Sequence, residues 1–270
     1  MKKIGIIGCG WLGFPLAKSF IKDEYTVLGT TTSFDKHADI KAEGIKAFVI
    51  SLFQDKIDGD ITSFLENLDV LILNVPPKLR ATNASNENYV KKMQLLHTAI
   101  KETKLKKIVF TSSTSVYGDI NGDVTEKTTP LPVTESGKQI LASENIFTKD
   151  NDLNVAIVRF AGLIGPERQP VISLSKKTTV ANGNFPVNLI HLEDCIRVIK
   201  AIVEKEYWNI IFNAAYPLHP TKEEYYTLQA KKLNIPAPRY TTNKNQKGKK
   251  IISNNLINIK GFKFLTSINN

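Results

Sequence analysis

The chain has 270 residues, is 42% hydrophobic and 23% charged, and carries a formal net charge of +10. That length is ample for a buried core, and the balance excludes a collagenous, coiled-coil or disordered chain. No apolar run reaches the length that crosses a bilayer, and two cysteines, Cys9 and Cys195, cannot make a disulfide framework.

The N-terminus runs straight into a strand pattern, without the apolar region and cleavage site of a secretory signal, so a cytoplasmic location is expected. Much of the basic excess lies late, in Lys231, Lys232, Arg239, Lys244, Lys247, Lys249 and Lys250. A solvated lysine-rich face accounts for it most simply, and attraction of an anionic ligand is the alternative. Nucleic-acid binding lacks a motif, because these residues are not interleaved with the aromatics of an RNA-binding sheet. His37, His97 and His219 are scattered, so no metal site is expected.

In chain order, Lys3 to Ile7 read as a short apolar strand, Gly8 to Gly13 as a turn, and Trp11 to Ile21 as a helix by apolar spacing. Tyr25 to Gly29 and Ala47 to Leu52 read as the next strands. Val70 to Val75 are a continuous apolar run, as in a strand buried on both faces, and Pro76-Pro77 end it. A helix over 86–101 precedes a strand over 107–112, and a helix over 135–147 precedes a strand over 155–160. This alternation predicts an α/β chain with a Rossmann-type doubly wound parallel sheet. Beyond Pro166 the segments shorten. Glu193 to Glu204 read as a helix, Ile210 to Ala214 as a strand, and Thr221 with Glu224 as a capping box opening a helix. Tyr240 to Lys250 read as a polar loop. Residues 1–166 are expected to form a dinucleotide-binding domain. Residues 167–270 form a small substrate lobe, interleaved with it and lying as a lid beside the strand ends.

The sequence Gly8-Cys9-Gly10-Trp11-Leu12-Gly13 is a GxGxxG loop that follows a strand and opens a helix. The first glycine permits the turn, the second lets backbone approach a pyrophosphate, and the third allows helix–strand packing. The helix N-terminus adds free N–H groups and partial positive charge. Gly8, Gly10, Trp11, Leu12 and Gly13 are therefore the expected cofactor contacts. NAD sites usually carry an acid at the end of the second strand, to hold the ribose 2′-hydroxyl. Here that place falls near Thr31 and Thr32, with Lys36 close by, so NADP is favoured over NAD. Asn74 and Pro76 end the fourth strand, where such cofactors bind, although the prolines also serve simply to stop the strand. Cys9 reads as a small residue tolerated between glycines.

Three further segments carry a resemblance: Thr111-Ser112-Ser113-Thr114-Ser115-Val116-Tyr117-Gly118, Arg159 to Pro166, and Asn188 to Asp194 with its His-x-x-Asp. With the glycine loop, they resemble the short-chain dehydrogenase/reductase superfamily, in its extended NAD-dependent epimerase/dehydratase form. The resemblance implies a serine, a tyrosine and a lysine at the reacting centre. It places the serine at Ser113, four residues before Tyr117, and the lysine at Lys138, where it also holds the nicotinamide ribose. The tyrosine position then falls on Thr134, whose hydroxyl lacks a phenol-like pKa. Tyr117 as a substitute phenol, Glu135 as acid/base, Thr134 itself, or binding without turnover are the ways this departure resolves. A pocket-shaping Tyr117 and a helix-capping Thr134 are the plainer readings of those residues.

The resulting expectation is an NAD(P)-dependent epimerase, dehydratase or reductase of atypical site. It acts on a small sugar nucleotide or similar polar substrate, an anionic one being an option. The alternative is a non-catalytic dinucleotide-binding protein. The resemblance also implies a homodimer, paired through the helices over 86–101 and 135–147.

Overall fold

A computed structural model describes residues 1–77, 88–241 and 247–269. The strands of the central sheet, numbered in chain order, are β1 (Lys3–Ile7), β2 (Thr26–Thr31), β3 (Lys46–Val49), β4 (Val70–Leu73), β5 (Lys107–Ser113), β6 (Asn154–Phe160) and β7 (Ile210–Ala214). All seven pair in parallel, in the order β7-β6-β5-β4-β1-β2-β3. Ile4, Ile6, Ile72, Val109 and Ile157 are fully buried, as befits strands covered on both faces. The chain leaves β1 in opposite directions, to β2 and, later, to β4. A crevice opens at that switch point, outside the carboxyl ends of the strands.

The longer helices are α1 (Gly13–Lys22), α2 (Phe34–Ala42), α3 (Tyr89–Lys101), α4 (Glu135–Thr148), α5 (Leu192–Glu204) and α6 (Lys222–Lys232). Each strand and helix expected up to residue 214 is present, with ends shifted by a few residues. Helix α3 starts at Tyr89 because the Asn88 side chain caps it, accepting from the Lys91 N–H at 3.0 Å. Residues 86 and 87 of that expectation lie outside the described residues. The expected capping box at α6 is formed by Thr221 and Glu224.

Three differences stand out. Helix α2 escapes a periodicity reading because Ile40 is its one buried side chain. The strand expected over 47–52 is broken after Val49, and Ser51–Leu52 instead pair antiparallel with Ile57–Asp58. The loop expected over 240–250 contains two short strands. Tyr240–Thr241 pair with Val180–Ala181, and Lys249–Ile251 pair with Gly122–Val124, both parallel. Residues 242–246 of that expectation lie outside the described residues.

The C-terminal part returns to the main body through α5, through β7 at the sheet edge, and again through Ile251 and Leu256. Ile164, Val171, Val187, Tyr225 and Ile268 form a smaller hydrophobic cluster beside it. That lobe stands against the carboxyl ends of β1, β4, β5 and β6, and the space between is the cleft described next.

Candidate functional site

The cleft has a volume of about 1570 Å³ and runs from the glycine loop, past the ends of β2, β4 and β5, to Asn188, Lys222 and Lys249. Its described lining carries five cations, Lys36, Lys92, Arg168, Lys222 and Lys249, against one carboxylate, Asp119. Such an excess of one sign in a concave surface concentrates anions.

The glycine loop is built as its spacing predicts. Gly8 has φ +98°, and a Cβ there would lie 2.4 Å from the Asn74 carbonyl oxygen. A Cβ on Gly13 would lie 2.1 Å from the Gly8 carbonyl oxygen, so that glycine serves helix–strand packing. Gly10 differs: a Cβ there would meet nothing within 4 Å, although the residue lines the cleft. Packing within the fold therefore does not require a glycine at this position. Helix α1 begins at Gly13 with no side-chain cap. Phe14 and Leu16 already donate to the Gly10 and Leu12 carbonyls and Pro15 has no N–H, so the Gly13 N–H is the donor of this first turn that is left to face an anion. The residues present thus fit a dinucleotide pyrophosphate.

Neighbouring side chains hold the loop in shape. The Gly8 N–H donates to Thr30 Oγ1 at 3.0 Å, and Asn74 Nδ2 donates to the Gly8 carbonyl at 2.9 Å. The Trp11 indole donates to the Pro166 carbonyl at 2.8 Å, and the Arg168 guanidinium lies over the ring, 5.0 Å from its centroid. Cys9 is buried against Gly29, and burial pushes its thiol up to about 12, so it is an inert packing group. Thr31, Thr32, Ser33 and Lys36 line the cleft beyond β2, together with Asn74 and Pro76 beyond β4. The Thr31 hydroxyl accepts from the Ser33 N–H at 3.1 Å.

Ser113 lines the cleft at the end of β5, and its hydroxyl accepts from the Ser115 N–H at 3.2 Å, opening the 3-10 turn Thr114–Tyr117. The other three residues expected at the reacting centre lie elsewhere. Tyr117 is fully buried and absent from the lining. Its hydroxyl donates to Asn213 Oδ1 at 2.8 Å and accepts from Arg159 Nη1 at 2.9 Å. Burial raises its pKa, with Arg159 opposing the shift. In this structure Tyr117 is a core strut, with its hydroxyl engaged by Arg159 and Asn213 and not facing the cleft.

Thr134 and Lys138 are exposed and off the cleft, and Thr134 caps α4 by accepting from the Gly137 N–H at 3.1 Å. The α4 face that lines the cleft presents Ser136 and Ile140. These keep the four-residue spacing expected for the tyrosine and lysine, but two residues later. The physical reason is Gly137, where a Cβ would lie 2.9 Å from the Ser115 carbonyl oxygen. That contact seats α4 against the serine turn and sets its rotation. On this register neither a phenol nor an ammonium comes from α4. Gly137, directly after Ser136, is the sequence signal that points to it.

Behind the cleft floor, Arg159 donates to both carboxylate oxygens of Glu144, at 3.0 Å from Nε and 2.6 Å from Nη2. The Ser112 hydroxyl also donates to Glu144. Lys249 reaches the cleft from the C-terminal strand Lys249–Ile251, which nothing in the local sequence distinguishes from the surrounding basic loop.

A family model for the NAD-dependent epimerase/dehydratase family matches residues 4–215. Protein YeeZ of Escherichia coli K12 is 34% identical over 266 residues, 98% of this chain and 96% of that one. A Bacillus subtilis protein described as an uncharacterized UDP-glucose epimerase, YtcB, is 24% identical over 230 residues, 75% of this chain and 73% of its own. The fold is also that of UDP-glucuronic acid 4-epimerase from Bacillus cereus, solved with NAD. The TM-score is 0.80 at 18% identity, over 99% of this chain and 93% of the other. The glycine loop, the seven parallel strands and these matches lead to one conclusion: the chain belongs to the NAD-dependent epimerase/dehydratase family.

Proposed function

We propose that the chain binds a nicotinamide dinucleotide along the glycine loop and a sugar nucleotide or similar polar substrate in the outer cleft. It acts there as an epimerase, dehydratase or reductase of unusual active site. The observation that carries this reading is Gly10, open toward the cleft above an uncapped helix N-terminus. Gly8, Gly10, Trp11, Leu12 and Gly13 hold the pyrophosphate, with Asn74 and Pro76 alongside. Thr31, Thr32 and Lys36 receive the adenosine ribose. No acid stands among the described lining at the end of β2, so a 2′-phosphate is tolerated and NADPH is preferred.

When bound, the nicotinamide supplies hydride chemistry. Ser113 places its hydroxyl at the substrate oxygen, as a hydrogen-bond partner. Ser136 is a poor proton carrier near neutrality, because an alkyl hydroxyl lacks a phenol-like pKa. Proton transfer from α4 is therefore weak, and turnover is slow or uses another group.

Titration with NADH and NADPH, read by fluorescence quenching and thermal shift, tests the reading. Saturable binding is expected, tighter for NADPH. Silence from both at millimolar concentration overturns it. Ser136 and Ile140 favour a second reading, cofactor binding without turnover. Hydride transfer on any sugar nucleotide, alcohol or ketone that is lost in Ser113→Ala removes this second reading.

A further inference from the structure

Helix α4 brings Ser136 and Ile140 to the cleft, and its Lys138 is exposed to solvent. A different lysine stands beside the serine turn. Lys249 Nζ donates to the Gly118 carbonyl at 2.6 Å and to the Thr114 carbonyl at 3.3 Å. These two carbonyls bracket the 3-10 turn that follows Ser113. An ammonium has three N–H donors. The third has no protein acceptor among the described residues.

The backbone that carries Lys249 is fixed from two sides. Asn188 Nδ2 donates to the Lys249 carbonyl at 2.9 Å, and Asn188 Oδ1 accepts from the Ile251 N–H at 2.7 Å. The strand Lys249–Ile251 also pairs with Gly122–Val124. Just before it, a Cβ on Gly248 would lie 2.6 Å from the Phe185 ring, so the strand is drawn tightly onto the substrate lobe. The Lys222 ammonium rests on that same ring, 5.3 Å from its centroid. A side chain tied at its tip and clamped at its backbone is held ready for a ligand rather than trailing in solvent.

Charge points the same way. Lys249 and Lys222 are half-buried, and neither forms an ion pair with a carboxylate among the described residues. Burial lowers the pKa of both, Lys222 adds to the effect on Lys249, and the exposed Asp119 opposes it. Two partly desolvated cations that repel one another are costly to the free protein, and an anion between them relieves the cost.

We propose that Lys249 is the substrate-binding cation of this cleft, carried in from the C-terminal strand, and that it binds a phosphoryl or carboxylate oxygen of the substrate beside the Ser113 turn. Lys222 stands behind it as the second positive charge. The proposal rests on the reading of the cleft as a substrate site. It moves the site's cation from α4 to the far end of the chain, and so makes the C-terminal strand part of substrate recognition.

Calorimetry on the full chain saturated with NADPH tests it. The probes are UDP and glucose 1-phosphate for the phosphoryl source, glucuronate for the carboxylate source, and uridine and glucose as neutral counterparts. An anionic probe is expected to bind where its neutral counterpart does not. Lys249→Met should weaken it about tenfold, since a charged hydrogen bond is lost, while NADPH affinity is unchanged. Lys249→Arg keeps the charge and should retain most of the affinity. The arm that responds names the source. Anionic-probe affinity in Lys249→Met equal to that of wild type, or no anionic probe bound by wild type that holds NADPH, overturns the proposal.

Should Lys249→Met fail to fold, acetylation of wild-type Lys249, read by mass spectrometry, takes its place. A saturating anionic probe should slow it and leave the exposed Lys138 unaffected. No protection overturns the proposal. If NADPH does not bind, the cofactor reading fails by itself, and the same titrations on the cofactor-free chain still decide the role of Lys249.

Discussion

Glu144 and Arg159 form a two-pronged ion pair directly behind the cleft floor, each with 3% of its side chain exposed. The pair joins α4 to β6, and through Ser112 and Tyr117 it joins both to the serine turn. Removing one partner leaves the other as a buried unpaired charge, at a cost of about 3–5 kcal/mol. Glu144→Gln and Arg159→Leu should therefore lower the urea midpoint strongly. Tyr117→Phe strands only an Arg159 N–H and the Asn213 amide oxygen, at a cost of about 1–3 kcal/mol. Its NADPH affinity should match wild type. Lost binding at full stability would instead place the phenol in the site.

Thr134 and Lys138 offer a separate check on the register of α4. Thr134→Ala removes an N-cap and should cost about 1 kcal/mol, with no change in cofactor binding. Lys138→Ala lies on an exposed face and should fall within about 0.5 kcal/mol of wild type. Weaker NADPH binding in Lys138→Ala would put that ammonium back at the nicotinamide ribose. Ser136→Leu, by contrast, should reduce ligand binding in the cleft without unfolding the chain.

Gly10 and Gly13 separate ligand from fold. Gly10→Val places its side chain in open space, so the melting temperature should hold while NADPH affinity falls by about tenfold or more. Gly13→Val drives a Cβ into the Gly8 carbonyl and should destabilise the chain outright. Equal cofactor affinity in Gly10→Val would mean that the dinucleotide takes another path.

Glu206 ties the N-terminal strand to the middle of the sheet. Hydrogen bonds from Lys107 at 2.5 Å, Lys2 at 2.5 Å and the Trp208 indole at 2.6 Å hold its carboxyl down at about 2. A carboxyl lowered on folding stabilises the native state above its unfolded pKa. That contribution is lost as the pH falls from about 4.5 toward 2. The side chain is 39% exposed, so the gain is modest, about 1 kcal/mol or less after screening. Glu206→Gln should flatten the acid limb of thermal stability between those pH values. An unchanged limb would show that the cluster contributes nothing measurable.

Much of the fold was legible in the residues alone. Buried parallel strands must be apolar on both faces, so Val70–Leu73 and Lys107–Ser113 announce themselves. The glycine loop was legible for the same kind of reason, since its three glycines answer to local constraints on turn, ligand and packing. Helix α2 was not, because it buries too little to leave a period.

The reacting centre depends on contacts between distant segments. Thr134–Lys138 and Ser136–Ile140 share the same four-residue spacing, and spacing cannot say which pair faces the cleft. The close approach of Gly137 to the Ser115 carbonyl decides it. For Tyr117 the sequence leaves open a packing residue or a substitute phenol, and only the structure shows Arg159 and Asn213 engaging its hydroxyl. Lys249 is one of several lysines in a basic stretch, and it gains its place only where Lys249–Ile251 meets Gly122–Val124. By itself, the sequence determined the sheet, the glycine loop and the place of Ser113, because short-range sterics and alternation encode them. The tertiary structure alone decided that Ser136 rather than Thr134, and Lys249 rather than Lys138, line the cleft, because helix rotation and strand pairing are settled by packing across the chain.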